Sequence, residues 1–154
     1  MEVINSYQIK NEIIKIFNGK GKVFKQGSEI DLPDIGKVDF IYSSPPYFNT
    51  ETYSKDEDQS IVKYNNYINW LNIYWRGTVK NCLKILTDDG HFGFCMLQKI
   101  NKYNISDDTV KVCLEEGLKL KEIIPFCTGI SHLADKKNKE IKTKITEALY
   151  IFTK

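Results

Sequence analysis

The feature that most constrains the fold of this 154-residue chain is a short apolar run that ends at two consecutive prolines. The pattern over Val38–Ser43 predicts a buried strand, and Ser44-Pro45-Pro46-Tyr47 follows it. Neither proline can donate a backbone N–H, so strand pairing must stop there. The residue before each proline is also held extended. We therefore predict a stiff, open turn at the carboxyl end of a strand, which is where open α/β sheets bind ligands.

The chemistry of this turn suits a planar amino group. The turn leaves the carbonyls of Ser44 and Pro45 without partners in a sheet, and the Ser44 hydroxyl adds a further acceptor. The Tyr47 ring is expected to project from this rigid base and to stack on the face of a bound ring. An ordinary structural turn is the alternative interpretation of the same four residues.

These residues resemble a known family. Ser44-Pro45-Pro46-Tyr47 is similar to the catalytic tetrapeptide of the DNA amino-methyltransferases, which methylate the exocyclic nitrogen of adenine or cytosine with S-adenosylmethionine. The resemblance extends over about residues 20–154, with Ser28 where the family usually has aspartate. The similar flanking segments are Lys22–Glu29, Leu32-Pro33, Val38–Ile41, Leu83–Gly90, His91–Met96 and Thr146–Phe152.

The resemblance implies a fold and a set of site residues. The fold is a partial Rossmann-like methyltransferase sheet of the α/β class, mostly parallel with an antiparallel last strand, in one incomplete domain over 1–154. The implied catalytic residues are Ser44, Pro45, Pro46 and Tyr47. The implied contacts to the cofactor, S-adenosylmethionine, are Ser44, Gly27 and Ser28. The implied contacts to DNA are Asn49, Tyr53, Lys136, Lys137 and Lys139, although a solvated loop is the alternative for the lysines.

One part of the family pattern is missing from this sequence. The family holds the methionine part of its cofactor with a glycine-rich loop that follows a strand. Gly19-Lys20-Gly21 precedes a predicted strand instead, so we interpret it as the end of a helix. The implied partners are therefore DNA and a missing segment or partner chain that carries the glycine loop, with self-association as an alternative.

Periodicity predicts an alternation of helices and strands, which is typical of α/β proteins. Loops are expected at 27–36 (with a helical turn at Leu32–Ile35), 49–63 and 129–144, and a turn is expected at Asp88–Gly90. The predicted helices are 7–18, 64–86 and a helix capped by Ser106 that runs to Gly117. The predicted strands are 22–26, 38–43, 91–97, 120–126 and 145–152, the last two being able to pair antiparallel.

Composition and charge exclude few classes of function. Twenty-two basic and 20 acidic residues give a net charge of +2, which neither requires nor rules out nucleic acid. The chain lacks an apolar run of about 20 residues and a basic, then apolar amino terminus, so we expect a cytoplasmic protein without a membrane segment. The four cysteines form no C-x-x-C pair, so we expect core thiols and no metal.

Three functions remain open at this stage. The first is methylation of DNA, with serine at position 44 favouring cytosine N4 over adenine N6. The second is methylation of RNA or of a protein glutamine, in families with a related Asn-Pro-Pro-Tyr turn. The third is a non-catalytic half-domain that binds DNA or a partner chain. Tyr67, Trp70 and Tyr74 are expected to belong to the core rather than to a base-binding site.

Overall fold

The structure is a computed structural model that describes residues 27–50, 59–126 and 147–154. In these ranges a four-stranded sheet packs against a layer of helices. The helices are α1 (Ser60–Lys63), α2 (Tyr67–Asn69), a π-helical segment (Trp70–Trp75), α3 (Arg76–Ile85) and α4 (Ile105–Glu115). The strands are β1 (Val38–Ser43), β2 (Leu86–Leu97), β3 (Lys119–Phe126) and β4 (Glu147–Thr153). The helix predicted at 7–18, the strand at 22–26 and the loop at 129–144 lie outside the described residues.

The strand order β1-β2-β4-β3 confirms the predicted fold class. β1 and β2 are parallel, with Ser43 opposite Phe94. The last strand, β4, runs antiparallel to both β2 and β3, as predicted. The described part of the sheet thus has one parallel and two antiparallel pairings. The parallel pair is joined through α1–α3, as a parallel connection requires.

The core lies between the sheet and the helices and is largely aromatic. Phe94 stacks on Tyr150 and Phe152, with ring centroids 5.3 and 5.8 Å apart. Trp75 meets Phe94 edge-on at 4.7 Å. β2, one of the two interior strands of the described sheet, is buried over Phe92–Met96 although its side chains alternate between the two faces.

The single helix predicted over 64–86 is divided. Asn66 caps α2, because its side chain accepts a hydrogen bond from the Asn69 N–H at 2.9 Å. The next six residues are π-helical. Trp70 and Trp75 are five residues apart, a spacing that would place them on different faces of an α-helix. The wider π turn lets both indoles lie in the core, each 0% exposed.

Three other local predictions were wrong. β2 begins at Leu86 rather than at His91, and the expected turn at Asp88–Gly90 is instead a register shift against β1. Ser106 lies inside the first turn of α4 instead of capping it, because its hydroxyl donates to the Gln98 carbonyl at 3.2 Å. The turn near the start of the described chain is at Ser28–Ile30, closed by the Ile30 N–H on the Gly27 carbonyl at 3.1 Å, and not at Leu32–Ile35.

Two further expectations concern the thiols and the membrane. Cys82, Cys95 and Cys113 are free and buried, as core thiols should be. Burial raises the pKa of the Cys82 thiol to about 11. Cys127 lies outside the described residues. Within the described ranges, none of the helices has the length and apolar character that crossing a bilayer requires.

Candidate active site

The tetrapeptide lies where the sequence predicted, at the carboxyl end of β1. β2 is parallel to β1 and continues three residues beyond the Ser43–Phe94 pair, so the loop after β2 leaves from the same edge of the sheet. Ser44 is exposed, Pro45 is buried and Pro46 is half-buried. The stiff turn therefore presents its first residue to solvent and inserts the next into the protein.

Hydrogen bonds close the second half of this turn. The Phe48 N–H donates to the Pro46 carbonyl at 2.9 Å, which makes a three-residue turn centred on Tyr47. The Tyr47 carbonyl accepts from both the N–H and the hydroxyl of Thr50, at 3.1 and 2.9 Å. Within the described ranges, the Ser44 hydroxyl and the Pro45 carbonyl have no hydrogen-bond partner. These two oxygens are available as acceptors.

The Tyr47 side chain differs from the expectation of a projecting ring, because it is only 8% exposed. The pKa of the nearby Tyr42 hydroxyl is raised, first by its hydrogen bond with the Cys95 thiol and then by burial, with smaller electrostatic contributions from Cys95, Tyr47 and Glu147. The Tyr42 Oη–Cys95 Sγ distance is 3.1 Å. Because Tyr47 is buried, a bound ring cannot stack on it as on an exposed side chain.

An aromatic cluster that the sequence analysis missed anchors the next residue. This cluster, the aromatic clamp, consists of Phe48, Tyr67, Trp70 and Tyr103. Phe48 meets Tyr67 and Tyr103 edge-on at 5.4 and 6.1 Å and lies 6.1 Å from Trp70. Tyr67 and Tyr103 stack at 3.8 Å. Phe48, Tyr67 and Tyr103 are far apart in the chain and form no periodic pattern in the sequence. The one available signal is an aromatic residue, Phe48, directly after the tetrapeptide.

The clamp is connected to α4 by a short hydrogen bond. The Tyr67 hydroxyl donates to Asp108 Oδ2 at 2.6 Å. Burial, followed by this carboxylate, raises the pKa of Tyr67 well above its usual range, so the hydroxyl stays a donor. Tyr67 and Trp70 are buried and Tyr74 packs against the same cluster, which confirms the prediction that they belong to the core.

The residues expected near the cofactor, Gly27 and Ser28, form a turn that docks on α3. The Ser28 hydroxyl is 2.9 Å from the Thr78 hydroxyl, and the Ser28 carbonyl accepts from Asn81 Nδ2 at 2.9 Å. The Gly27 carbonyl closes the turn through the Ile30 N–H. Since these bonds already occupy Ser28, the turn as it stands offers few free polar groups.

The neighbouring Glu29 is a second group that the sequence analysis missed. Its side chain is 7% exposed. Oε1 accepts from Lys63 Nζ at 3.2 Å and from the Tyr64 hydroxyl at 3.0 Å. The bond with Glu29 is the main reason that the pKa of Lys63 is raised. Glu29 thus connects the Ser28–Ile30 turn to α1.

An open cleft of about 380 Å³ runs along β1 between this turn and α3. Its walls are mainly apolar and come from both faces of β1. The lining residues are Ser28, Leu32, Ile35, Val38, Phe40, Ile41, Tyr42, Ser43, Thr78, Cys82 and Ile85. The prediction that β1 is a buried strand is wrong for the described part of the protein, because none of its residues is buried and Phe40 and Tyr42 are 58% and 55% exposed.

Of the residues predicted to contact DNA, the structure describes one. Asn49 is exposed and follows the tetrapeptide directly. Tyr53, Lys136, Lys137 and Lys139 lie outside the described residues. A polar pocket of about 310 Å³ opens after β2 at the same sheet edge, lined by Gln98, Lys99, Asn104, Ser106, Asp107 and Tyr150.

Comparisons with known proteins identify the fold. No family model and no curated protein matches the chain. Among solved structures it is similar to a TehB-like S-adenosylmethionine-dependent methyltransferase from Corynebacterium glutamicum, with a TM-score of 0.54 and 14% identity over 98% of this chain. The fold is that of the S-adenosylmethionine-dependent methyltransferases.

A second solved structure is a candidate DNA modification methylase from Thermus thermophilus. Its TM-score is 0.48, with 16% identity over 83% of this chain. The chain spans 65% of the length of the Corynebacterium protein and 50% of the length of the Thermus protein.

Proposed function

We propose that this chain is the catalytic region of a DNA methyltransferase, which transfers a methyl group from S-adenosylmethionine to the exocyclic amino group of cytosine (N4) or adenine (N6). The observation that carries the proposal is the state of the tetrapeptide carbonyls. Those of Pro46 and Tyr47 are used inside the turn, whereas the Pro45 carbonyl and the Ser44 hydroxyl have no partner among the described residues.

These two acceptors address the main difficulty of the reaction. The lone pair of an exocyclic amine is delocalised into the base, so the nitrogen is a poor nucleophile. Hydrogen bonds from its N–H groups to the Ser44 hydroxyl and the Pro45 carbonyl would draw the nitrogen toward a tetrahedral state. Because the prolines fix the turn, these acceptors are already oriented toward the positive charge that develops on the nitrogen. No covalent intermediate with the protein is required.

The burial of Tyr47 adds a condition to base binding. A target base must leave the DNA stack to reach the tetrapeptide, as it does in other enzymes that modify bases. It would then have to pass below the surface at the tetrapeptide to contact the Tyr47 ring, which is 8% exposed. Stacking of a base on an aromatic ring is worth about 1–3 kcal/mol. Asn49 is exposed directly after the tetrapeptide, and in this proposal it would contact the strand beside the extruded base.

The described residues supply only part of a site for S-adenosylmethionine. The cofactor, when bound, supplies the electrophilic methyl group. The Ser44 side chain is free to contact it, but the hydroxyl and carbonyl of Ser28 are already bonded to α3. No charged side chain lines the cleft beside β1 in the described ranges. Most contacts to the cofactor are therefore assigned to another segment.

The edge of β1 is the proposed docking surface for that segment. Within the described ranges β1 has one neighbour, β2, and the cleft exposes apolar side chains from both of its faces. A strand edge with such flanks invites pairing with another strand. The chain also spans only 65% of the Corynebacterium structure. We propose that a strand carrying the glycine-rich loop, in a longer protein or in a partner chain, occupies this edge.

The test is transfer of labelled methyl from S-adenosylmethionine to oligonucleotides whose only amino-bearing base is cytosine or adenine. The chain is co-expressed with its neighbouring reading frames, and RNA and a glutamine peptide serve as competing substrates. Ser44→Ala should lower the rate at least tenfold, a loss of about 1.4 kcal/mol in the transition state. Ser60→Ala, which removes a serine hydroxyl from α1 outside this cleft, is the control.

Two results would contradict the proposal. Equal rates for Ser44→Ala and the wild-type chain would remove the tetrapeptide from the chemistry. Labelling of RNA or of the peptide, without labelling of DNA, would replace DNA by that substrate.

A further inference from the structure

The backbone of Phe48 adopts a conformation that bulky residues rarely adopt. Its φ of 49° is left-handed, and Asn101 is the other non-glycine residue with a positive φ among the described residues. Asparagine tolerates this region because its short polar side chain bonds locally, whereas phenylalanine has no such compensation. A strained residue persists only when its surroundings hold it, and such residues concentrate at functional sites. Phe48 directly follows the tetrapeptide.

The surroundings that hold Phe48 are the other rings of the aromatic clamp. Its side chain is 6% exposed. Tyr67 and Tyr103 stack on each other, and the Phe48 ring lies beside this stack, nearly perpendicular to both rings, with interplanar angles of 76° and 89°. Edge-to-face contacts of this kind are attractive and directional. Because Tyr67 is also hydrogen-bonded to Asp108 of α4, this bond fixes the position of the Phe48 ring relative to α4.

The same residue sets the direction of the tetrapeptide backbone. The Phe48 N–H holds the Pro46 carbonyl at 2.9 Å, and the left-handed turn lets Thr50 reach the Tyr47 carbonyl. These bonds orient the peptide groups on both sides of Tyr47. They are one residue away from the Pro45 carbonyl, which the proposed function uses as an acceptor.

We propose that Phe48 is a positioning residue for methyl transfer. Its ring, held in the aromatic clamp, keeps the backbone left-handed and thereby aims the Ser44 and Pro45 acceptors. This role rests on the proposed function, but the mechanical part of it can be measured without any substrate. Phe48 itself touches neither the base nor the cofactor in this scheme.

The first experiment measures amide hydrogen exchange of the full chain by NMR in the wild type, Phe48→Ala and Phe48→Gly. Both variants lose the ring, but only alanine keeps the penalty for a left-handed backbone. Exchange at Thr50 should become about tenfold faster in Phe48→Ala, since tenfold corresponds to about 1.4 kcal/mol. Phe48→Gly should lie between Phe48→Ala and the wild type. The amides of Phe92 and Phe94 in β2 report the loss of global stability that follows removal of a buried ring, and the increase expected at Thr50 is the one beyond the increase at these two amides.

A second variant covers the case in which Phe48→Ala does not fold. Asp108→Asn leaves every ring of the clamp in place and weakens its connection to α4. It should raise the exchange rate at Thr50 in the same direction, by about threefold if it removes roughly half of that free energy. Unchanged exchange at Thr50 in the variants that fold would show that the clamp does not hold the turn, and would overturn the proposal.

The second experiment separates positioning from mere packing. In the methyl-transfer assay, Phe48→Ala should lower kcat about tenfold and Phe48→Gly should lower it less, both with little change in KM for the oligonucleotide, because the acceptors act mainly in the transition state. Faster exchange with unchanged kcat would make Phe48 purely structural and overturn the proposal. If the wild-type chain labels no DNA, the proposed function is wrong, and Phe48 has no role in methyl transfer. The exchange data still decide whether the clamp holds the turn.

Discussion

The hydrogen bond between Tyr67 and Asp108 gives the clearest test of how the tetrapeptide is supported. The perturbation is Tyr67→Phe, which keeps the ring that stacks on Tyr103 and removes only the hydroxyl. The oxygen atoms are 2.6 Å apart, and the acceptor is a carboxylate. Hydrogen bonds to charged groups contribute about 1.5–3 kcal/mol to stability.

The expected loss lies near the lower end of that range. Asp108 is only partly buried, so water can solvate its carboxylate once the hydroxyl is gone. We therefore expect Tyr67→Phe to lower the free energy of unfolding by about 1.5 kcal/mol. For a chain of this size, that corresponds to a decrease in Tm of about 3–6 °C.

The assay is urea denaturation of a double-mutant cycle formed by Tyr67→Phe, Asp108→Asn and the double variant. The coupling free energy between the two positions should be at least about 0.5 kcal/mol, as found for residues in direct contact. Tyr103→Phe, which removes a hydroxyl from the partner ring of the same stack, is the matched control. A coupling near zero would mean that the bond does not hold Tyr67 in place and that the aromatic clamp is not connected to α4.

Three further predictions concern the site and the fold. In the completed enzyme, Tyr47→Ala should lower methyl transfer far more than cofactor affinity, whereas Tyr47→Phe should be milder; equal transfer by all three proteins would contradict this. The isolated chain should bind S-adenosylmethionine more weakly than the low micromolar range (about −8 kcal/mol), and micromolar binding in calorimetry would contradict this. It should also self-associate through β1, and Phe40→Lys and Tyr42→Lys should reduce this association. A monomer at all concentrations in ultracentrifugation would contradict the second expectation. The hydrogen bond from Arg76 lowers the pKa of Glu115, so the stabilising effect of this pair is present at neutral pH and is lost as pH falls below about 4.5. Arg76→Met should therefore make the urea midpoint of unfolding decrease less as the pH is lowered through this range.

The position of the tetrapeptide could be predicted because its causes are local. Proline removes a backbone donor wherever it occurs, and the apolar run before it has few other uses. The predicted bounds of β1, Val38–Ser43, are those of the structure. The antiparallel pairing of β3 with β4 also followed from the sequence, since no helix was predicted between them.

The surroundings of the tetrapeptide could not be predicted, because they depend on contacts between distant parts of the chain. Tyr103 joins the aromatic clamp from a loop 55 positions after Phe48, and no periodic pattern connects the two. The π-helical segment also depends on tertiary contacts, because it allows both Trp70 and Trp75 to be buried, whereas an α-helix would place them on different faces. Local propensity gives way to tertiary packing at these positions.

The contrast between Ser44 and Tyr47 says most about how such a site can work. The two prolines between them fix the backbone on one side, and the Phe48 turn fixes it on the other, so the tetrapeptide has little freedom to open toward a ligand. Ser44 is exposed while Tyr47 is 8% exposed, so the acceptor and the ring lie at different depths from the surface. Under the proposed function, a base that contacts both must be extruded from the DNA stack, because a base still stacked in DNA could not reach the buried ring. The proposed selection for an extruded base would then depend on the aromatic clamp as much as on the prolines.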